Sequence, residues 1–104
     1  MTQQVEISLP PFPRGFHLIT DLILKNLSEL PDKGLLHVFI KHTSAGLTIN
    51  ENYEERVRDD FEMMFNKLVP ENISYTHDDE GKDDMPAHIK SSLIGNSVTI
   101  PITN

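Results

Sequence analysis

The chain has 104 residues, a net charge of −7, 38% hydrophobic and 24% charged residues, and no cysteine. That combination points to one folded domain and excludes disulfides and thiolate ligands, so a transition metal must be held by His, Asp or Glu. Lys and Arg are scattered rather than gathered into a basic patch, which argues against nucleic acid, and no apolar run is long enough to cross a bilayer.

The N-terminal Met-Thr-Gln-Gln-Val-Glu shows no secretory signal, so a cytoplasmic protein is expected. Gln3 to Leu9 alternates in the manner of a strand, with Val5, Ile7 and Leu9 on one face. Pro10 to Gly15 breaks it. Ile19, Ile23, Leu27 and Leu30 then recur at helical spacing behind Thr20, until Pro31-Asp32-Lys33-Gly34 stops the pattern. Leu35 to His42 is the strongest predicted strand, with Leu36, Val38, Ile40 and His42 on one side. Thr43 to Gly46 forms a turn of small residues, and Leu47 to Asn50 a second short strand. Asn52-x-x-Glu55 has capping-box spacing and opens a helix whose apolar stripe is Val57, Phe61, Met64, Phe65 and Leu68. Ile73 to His77 is a further predicted strand. An acidic loop follows, then a short helix from Ala87 to Ile94 behind Pro86, closed by Gly95, and a last strand from Val98 to Ile102. The order predicts a single α+β domain.

The acidic loop carries Asp78, Asp79, Glu80, Asp83 and Asp84 between His77 and His88. His42 and His77 each end an apolar strand face. Asp84 and His88 stand four apart on a helix, so the carboxylate can accept a hydrogen bond from one imidazole nitrogen and leave the other as a ligand. His42, His77 and His88 with a water or substrate oxygen make an open zinc-type site. Each histidine has a plainer role as a polar rim residue. The carboxylates equally serve as helix caps or as a solvated face, although so many together also suit Mg²⁺. His17 and His37 require only solvent or subunit contacts. Ser44 beside His42 raises a nucleophile, though small residues after a strand more often admit a ligand or a neighbouring subunit. Asn50 and Glu51 lie at a helix start, where phosphate can meet backbone N–H groups, with Asn52 as the cap.

His42-Thr43-Ser44-Ala45 followed by Leu47-Thr48-Ile49-Asn50-Glu51-Asn52 resembles the first signature of the YjbQ-like family, also called the secondary thiamine-phosphate synthase family. Tyr75-x-His77, Glu80-Gly81 and Asp83 to Leu93 resemble the second, and the likeness runs from about Gly15 to Ile102. The resemblance implies a β-sandwich-like core with helices and a homotrimer. It also implies a metal site at the shared histidines His42, His77 and His88, with Glu80, Asp83, Asp84, Ser44, Asn50 and Glu51 nearby. The resemblance supplies no mechanism; from their chemistry, His42, His88 and Asp84 are the expected catalytic groups, and Ser44, Asn50, Glu51 and Lys90 the expected contacts of a small phosphorylated metabolite. The divalent cation would be zinc-like at the histidines or magnesium at the acidic loop. Weak thiamine-phosphate synthase activity is the implied chemistry, and a non-catalytic metal- or metabolite-binding trimer is the alternative.

Two departures stand out. Tyr53-Glu54-Glu55 replaces the family's small residue and Asp-Pro pair. The single domain, residues 1–104, also lacks the Trp-containing strands with which the family continues; either the protein is naturally shortened or this sequence is part of a longer one, and in either case a contact between subunits is the expected substitute for the absent strands.

Overall fold

In the computed structural model, which describes residues 2–103, the chain forms α1 (Thr20–Leu24), β1 (Gly34–Phe39), α2 (Glu55–Leu68), α3 (Asp84–Ile94) and β2 (Ser97–Ile102). This is a small α+β domain. β1 and β2 pair antiparallel, with Leu36 opposite Ile100 and Val38 opposite Val98. Period-two alternation puts these four on one face and leaves Leu35, His37 and Phe39 on the other. On that outer face His37 Nδ1 lies 2.8 Å from Thr99 Oγ1, a cross-strand polar pair that matches the register.

α1 ends well before the predicted Leu30. The side chain of Asn26 donates to the Leu22 carbonyl at 2.7 Å, while its own backbone N–H turns to Ile23 O at 3.0 Å. The amide thus takes the acceptor that an i→i−4 bond would use, and the chain tightens into a three-residue turn.

α2 begins at Glu55, and its cap is Glu54 rather than Asn52. The Glu54 carboxylate accepts from the Arg56 backbone N–H at 3.4 Å and pairs with the Arg56 guanidinium at 3.0 Å. Tyr53, just before this cap, is 91% exposed. The inner stripe is Val57, Phe61 and Phe65, with Met64 and Leu68 turned outward. Phe16 seats against Phe61 and Phe65 at ring separations of 5.4 and 5.6 Å. Arg14 ties the same N-terminal segment to Glu62, Asn66 and Glu71.

α3 starts three residues before the predicted Ala87, with Pro86 buried in its first turn. Gly95 ends it at φ +103°, a conformation L side chains rarely adopt, and so swings the chain into β2. Just beyond Phe39, Ile40 N–H donates to Asn96 O, and Leu47 N–H donates to Gly95 O, both at 2.9 Å. These bonds hold the 40–47 segment against the α3–β2 junction.

The predicted strands at Gln3–Leu9, Leu47–Asn50 and Ile73–His77 do not form ladders, and among the described residues the sheet has two strands. Alternation selects an apolar face but supplies no partner for the backbone. At 73–77 the backbone turns instead, with Tyr75 N–H donating to Ile73 O and the Tyr75 hydroxyl to Pro70 O. Among the described residues only Val69, Pro86 and Ser91 are buried.

Candidate metal centre

The first turn of α3 presents Asp84 and His88 on one helix face, as their four-residue separation requires. The segment before the acidic loop brings His77 to the same point. His77, Asp84 and His88 each offer one ligand atom, and these atoms lie within 4.8 Å of one another. Asp84 Oδ2 is 2.7 Å from His77 Nε2 and 3.3 Å from His88 Nε2. The two imidazoles meet edge to face, with centroids 5.8 Å apart.

His88 Nδ1 lies 2.9 Å from the Thr43 carbonyl oxygen. A carbonyl only accepts, so Nδ1 carries a proton, and whenever the ring is neutral its lone pair sits on Nε2, on the side of Asp84. The second partner of His88 is therefore the Thr43 backbone, and Asp84 stands among the ligand atoms rather than behind them.

His77 has its pKa raised above the ordinary imidazole range, chiefly by the hydrogen bond to Asp84, with Asp79, Asp84 and Glu80 adding negative charge. The Asp84 carboxyl is lowered, again chiefly by its bond to His77 and further by the charge of His88. Both shifts have the direction expected of one charge-assisted pair.

Two histidines and one carboxylate match a catalytic-type set for zinc or a related ion, which keeps a position open. Adjacent ligand atoms of a tetrahedral zinc site are separated by ~3.3 Å, given metal–ligand bonds of about 2.0–2.1 Å. The Asp84–His88 separation has that value. The His77–Asp84 separation is that of a hydrogen bond, and a small opening would convert it. The donor set fits a divalent transition ion.

His42, expected as the third ligand, is not in this group. Its Nδ1 lies 3.0 Å from the Ser44 backbone N–H and 3.1 Å from Ser44 Oγ. That nitrogen must accept from the backbone N–H, so the proton of the neutral ring sits on Nε2 and no lone pair is left for a metal there. β1 stops at Phe39, short of His42, so the face predicted from alternation does not extend to that ring.

Lys90 is also turned away. It follows His88 by two residues, about 200° around the helix. It donates to Asn66 Oδ1 at 2.6 Å, and burial lowers its pKa, with the nearby Arg14 charge adding to the effect. Ser44 is engaged with His42. Asn50 caps the Glu51 backbone N–H at 2.7 Å, and Glu51 is exposed. The acidic loop is solvated, with Asp79 and Glu80 side chains 82% and 64% exposed. It forms no separate acid-only cation group among the described residues.

Sequence reasoning missed the Thr43 carbonyl and Ser91. Ser91 is buried and its hydroxyl donates to the Ala45 carbonyl at 2.8 Å. A backbone carbonyl leaves no mark on a sequence; the i, i+3 relation of His88 and Ser91 was the available signal.

Residues 5–104 match the family described as UPF0047 protein YjbQ-like. UPF0047 protein YjbQ of Salmonella typhimurium is 55% identical over 104 residues, covering 98% of this chain and 75% of that protein. The corresponding protein of Escherichia coli O157:H7 is 50% identical over the same shares. Among solved structures, a conserved hypothetical protein from Thermus thermophilus superposes with a TM-score of 0.72 at 31% identity. An uncharacterised yjbq/upf0047 protein from Clostridium acetobutylicum does so with 0.67 at 35%. Each superposition covers 83% of this chain and 65% of the other, so the chain spans somewhat less than two thirds of those structures.

Proposed function

The chain belongs to the YjbQ-like UPF0047 family, and from that premise we propose that it binds a divalent transition metal, zinc or a zinc-like ion, through His77, Asp84 and His88. One observation carries the reading: three ligand atoms converge while the Thr43 carbonyl holds the proton of His88 on the far nitrogen. Purified protein reconstituted with zinc should hold about one ion per chain. His88→Ala and His77→Ala should lose it, and His42→Ala should keep it. A wild-type protein that takes up no zinc, or loss confined to His42→Ala, rejects the assignment.

The proposed ligand of the metal site is a small phosphorylated metabolite, and the proposed chemistry is weak thiamine-phosphate synthesis. There a thiazole nitrogen captures the pyrimidine carbon as pyrophosphate leaves. Asp78, Asp79, Glu80 and Asp83 would repel a bare diphosphate, and Lys90 is engaged elsewhere. Positive charge must therefore come from a cation, either at the histidines or as magnesium arriving with the diphosphate at the acidic loop. With the cation at the acidic loop instead, His77 and Asp84 would hold or move a proton at their shared hydrogen bond. Product formation from the two precursors, abolished by a chelator and by His88→Ala, tests this. Metal binding without product would leave the non-catalytic reading.

The proposed working form is a cytoplasmic homotrimer in which contacts between copies complete a sandwich-like core. The accessible surface of 8341 Å² supports the contacts between copies. A compact monomer of this mass exposes about 5,900 Å². The surplus is comparable with an obligate interface of roughly 2,000 Å² or more.

A further inference from the structure

The turn between β1 and α2 that carries Thr43 is fastened to α3 and the residue after it at three places. The Ser91 hydroxyl donates to the Ala45 carbonyl at 2.8 Å, and Ser91 is only 8% exposed. Leu47 N–H donates to the Gly95 carbonyl at 2.9 Å. Between them Gly46 packs so closely that an added Cβ would lie 2.8 Å from the Gly95 carbonyl oxygen and 3.1 Å from Ile94 Cγ2. The closer of these contacts is with backbone, which has little freedom to withdraw.

His88 and Ser91 are three residues apart, so both address the turn from one side of the helix. One carbonyl of the turn receives Ser91, and the carbonyl two residues earlier receives His88. The strength of the second bond depends on where the first holds the backbone. In the 42–44 part of the same turn, His42 Nδ1 accepts from Ser44 N–H and so takes the opposite tautomer.

We propose that Ser91 and Gly46 are positioning residues which, by clamping the 43–47 turn on α3, deliver the Thr43 carbonyl to His88 Nδ1 and keep its Nε2 lone pair available as a ligand. This rests on the metal-binding reading above. Neither residue touches the ligand atoms; both act through the turn. Outer partners that orient a ligating histidine typically change metal affinity 10–100-fold when removed.

The ring nitrogens of His88, observed by ¹⁵N NMR in metal-free protein at alkaline pH, report the tautomer directly. Wild type should show the proton on Nδ1. Ser91→Ala should move the population towards the Nε2–H form and lower zinc affinity about tenfold. Ser91→Thr, which retains the hydroxyl, should restore both values. Gly46→Ala should shift the tautomer in the same direction by displacing the turn from its other side. An Nε2–H form in the wild type overturns the proposal even if every variant fails to fold. So does an unchanged tautomer in folded Ser91→Ala. Failure of wild-type protein to bind zinc would instead reject the metal site, while the ring measurement would still decide the role of the clamp.

Discussion

His77 and Asp84 are joined by a 2.7 Å bond that moves their proton affinities in opposite directions, His77 upward and Asp84 downward. Stability from the raised imidazole is fully present below its unfolded pKa and is lost as pH rises through the folded one. Stability from the depressed carboxyl is fully present above its unfolded pKa and is lost as pH falls through the folded one. The pair therefore contributes most between about pH 4 and 6.5, the ordinary aspartate and histidine values. Asp84→Asn should lower the urea midpoint most in that window and least at alkaline pH. A difference independent of pH would show that the bond is not charge-assisted. A metal ion held by the proposed ligands would compete with this bond, so zinc binding should release protons, measured by calorimetry in buffers of different ionisation enthalpy. The spacing of Asp84 and His88 was enough to place them together. Their separate roles depended on Thr43, a contact across 45 residues.

The elements divide by how much of their stabilisation is local. α2 is anchored by Phe61 and Phe65 against Phe16, with Arg14 and Asn66 tying the same face. Because Phe61 is half-buried, Phe61→Ala should cost about 2 kcal/mol, less than a full core truncation. Met64→Ala, on a side chain 46% exposed, should cost well under half of that. Equal losses in urea titrations would mean that the outward face is covered in solution. α2 and the strands β1 and β2 were legible because their apolar periods persist for several residues, and α3 because Pro86 and Gly95 mark its ends. The N-cap at Glu54 and the early end of α1 at Asn26 were not. Each depends on a side chain choosing between equivalent backbone partners, and spacing does not rank those choices.

Taken whole, the chain is extended, with a radius of gyration of 15.9 Å and extents of 50 × 29 × 21 Å. A compact chain of this length has a radius near 13 Å. The inner sheet face, α1 and the 47–49 segment frame an apolar groove of about 390 Å³ lined by Ile23, Leu36, Val38, Ile49, Val98 and Ile100. Leu35 and Phe39, 71% and 56% exposed, lie on the sheet's other side. Exposed apolar area of this extent favours association. Sedimentation should find oligomers at micromolar concentration. Leu35→Glu should shift them towards the single chain with little change in monomer folding, since that side chain is largely solvated in the monomer. A wild-type protein that sediments as one chain would reject self-association.

Composition alone limited any transition-metal ligands to His, Asp and Glu, periodicity placed α2 and the two strands, and the Pro86 and Gly95 signals placed α3. Two long motifs were enough to indicate the family, because residue order survives without coordinates. Tertiary structure decided which histidines meet, bringing His77 and His88 to Asp84 while His42 turns to Ser44, and which partner each ring nitrogen finds. It also decided which alternating segments became strands. Those outcomes depend on partners remote in the chain, and a local pattern contains no information about which acceptor or neighbouring strand will be within reach.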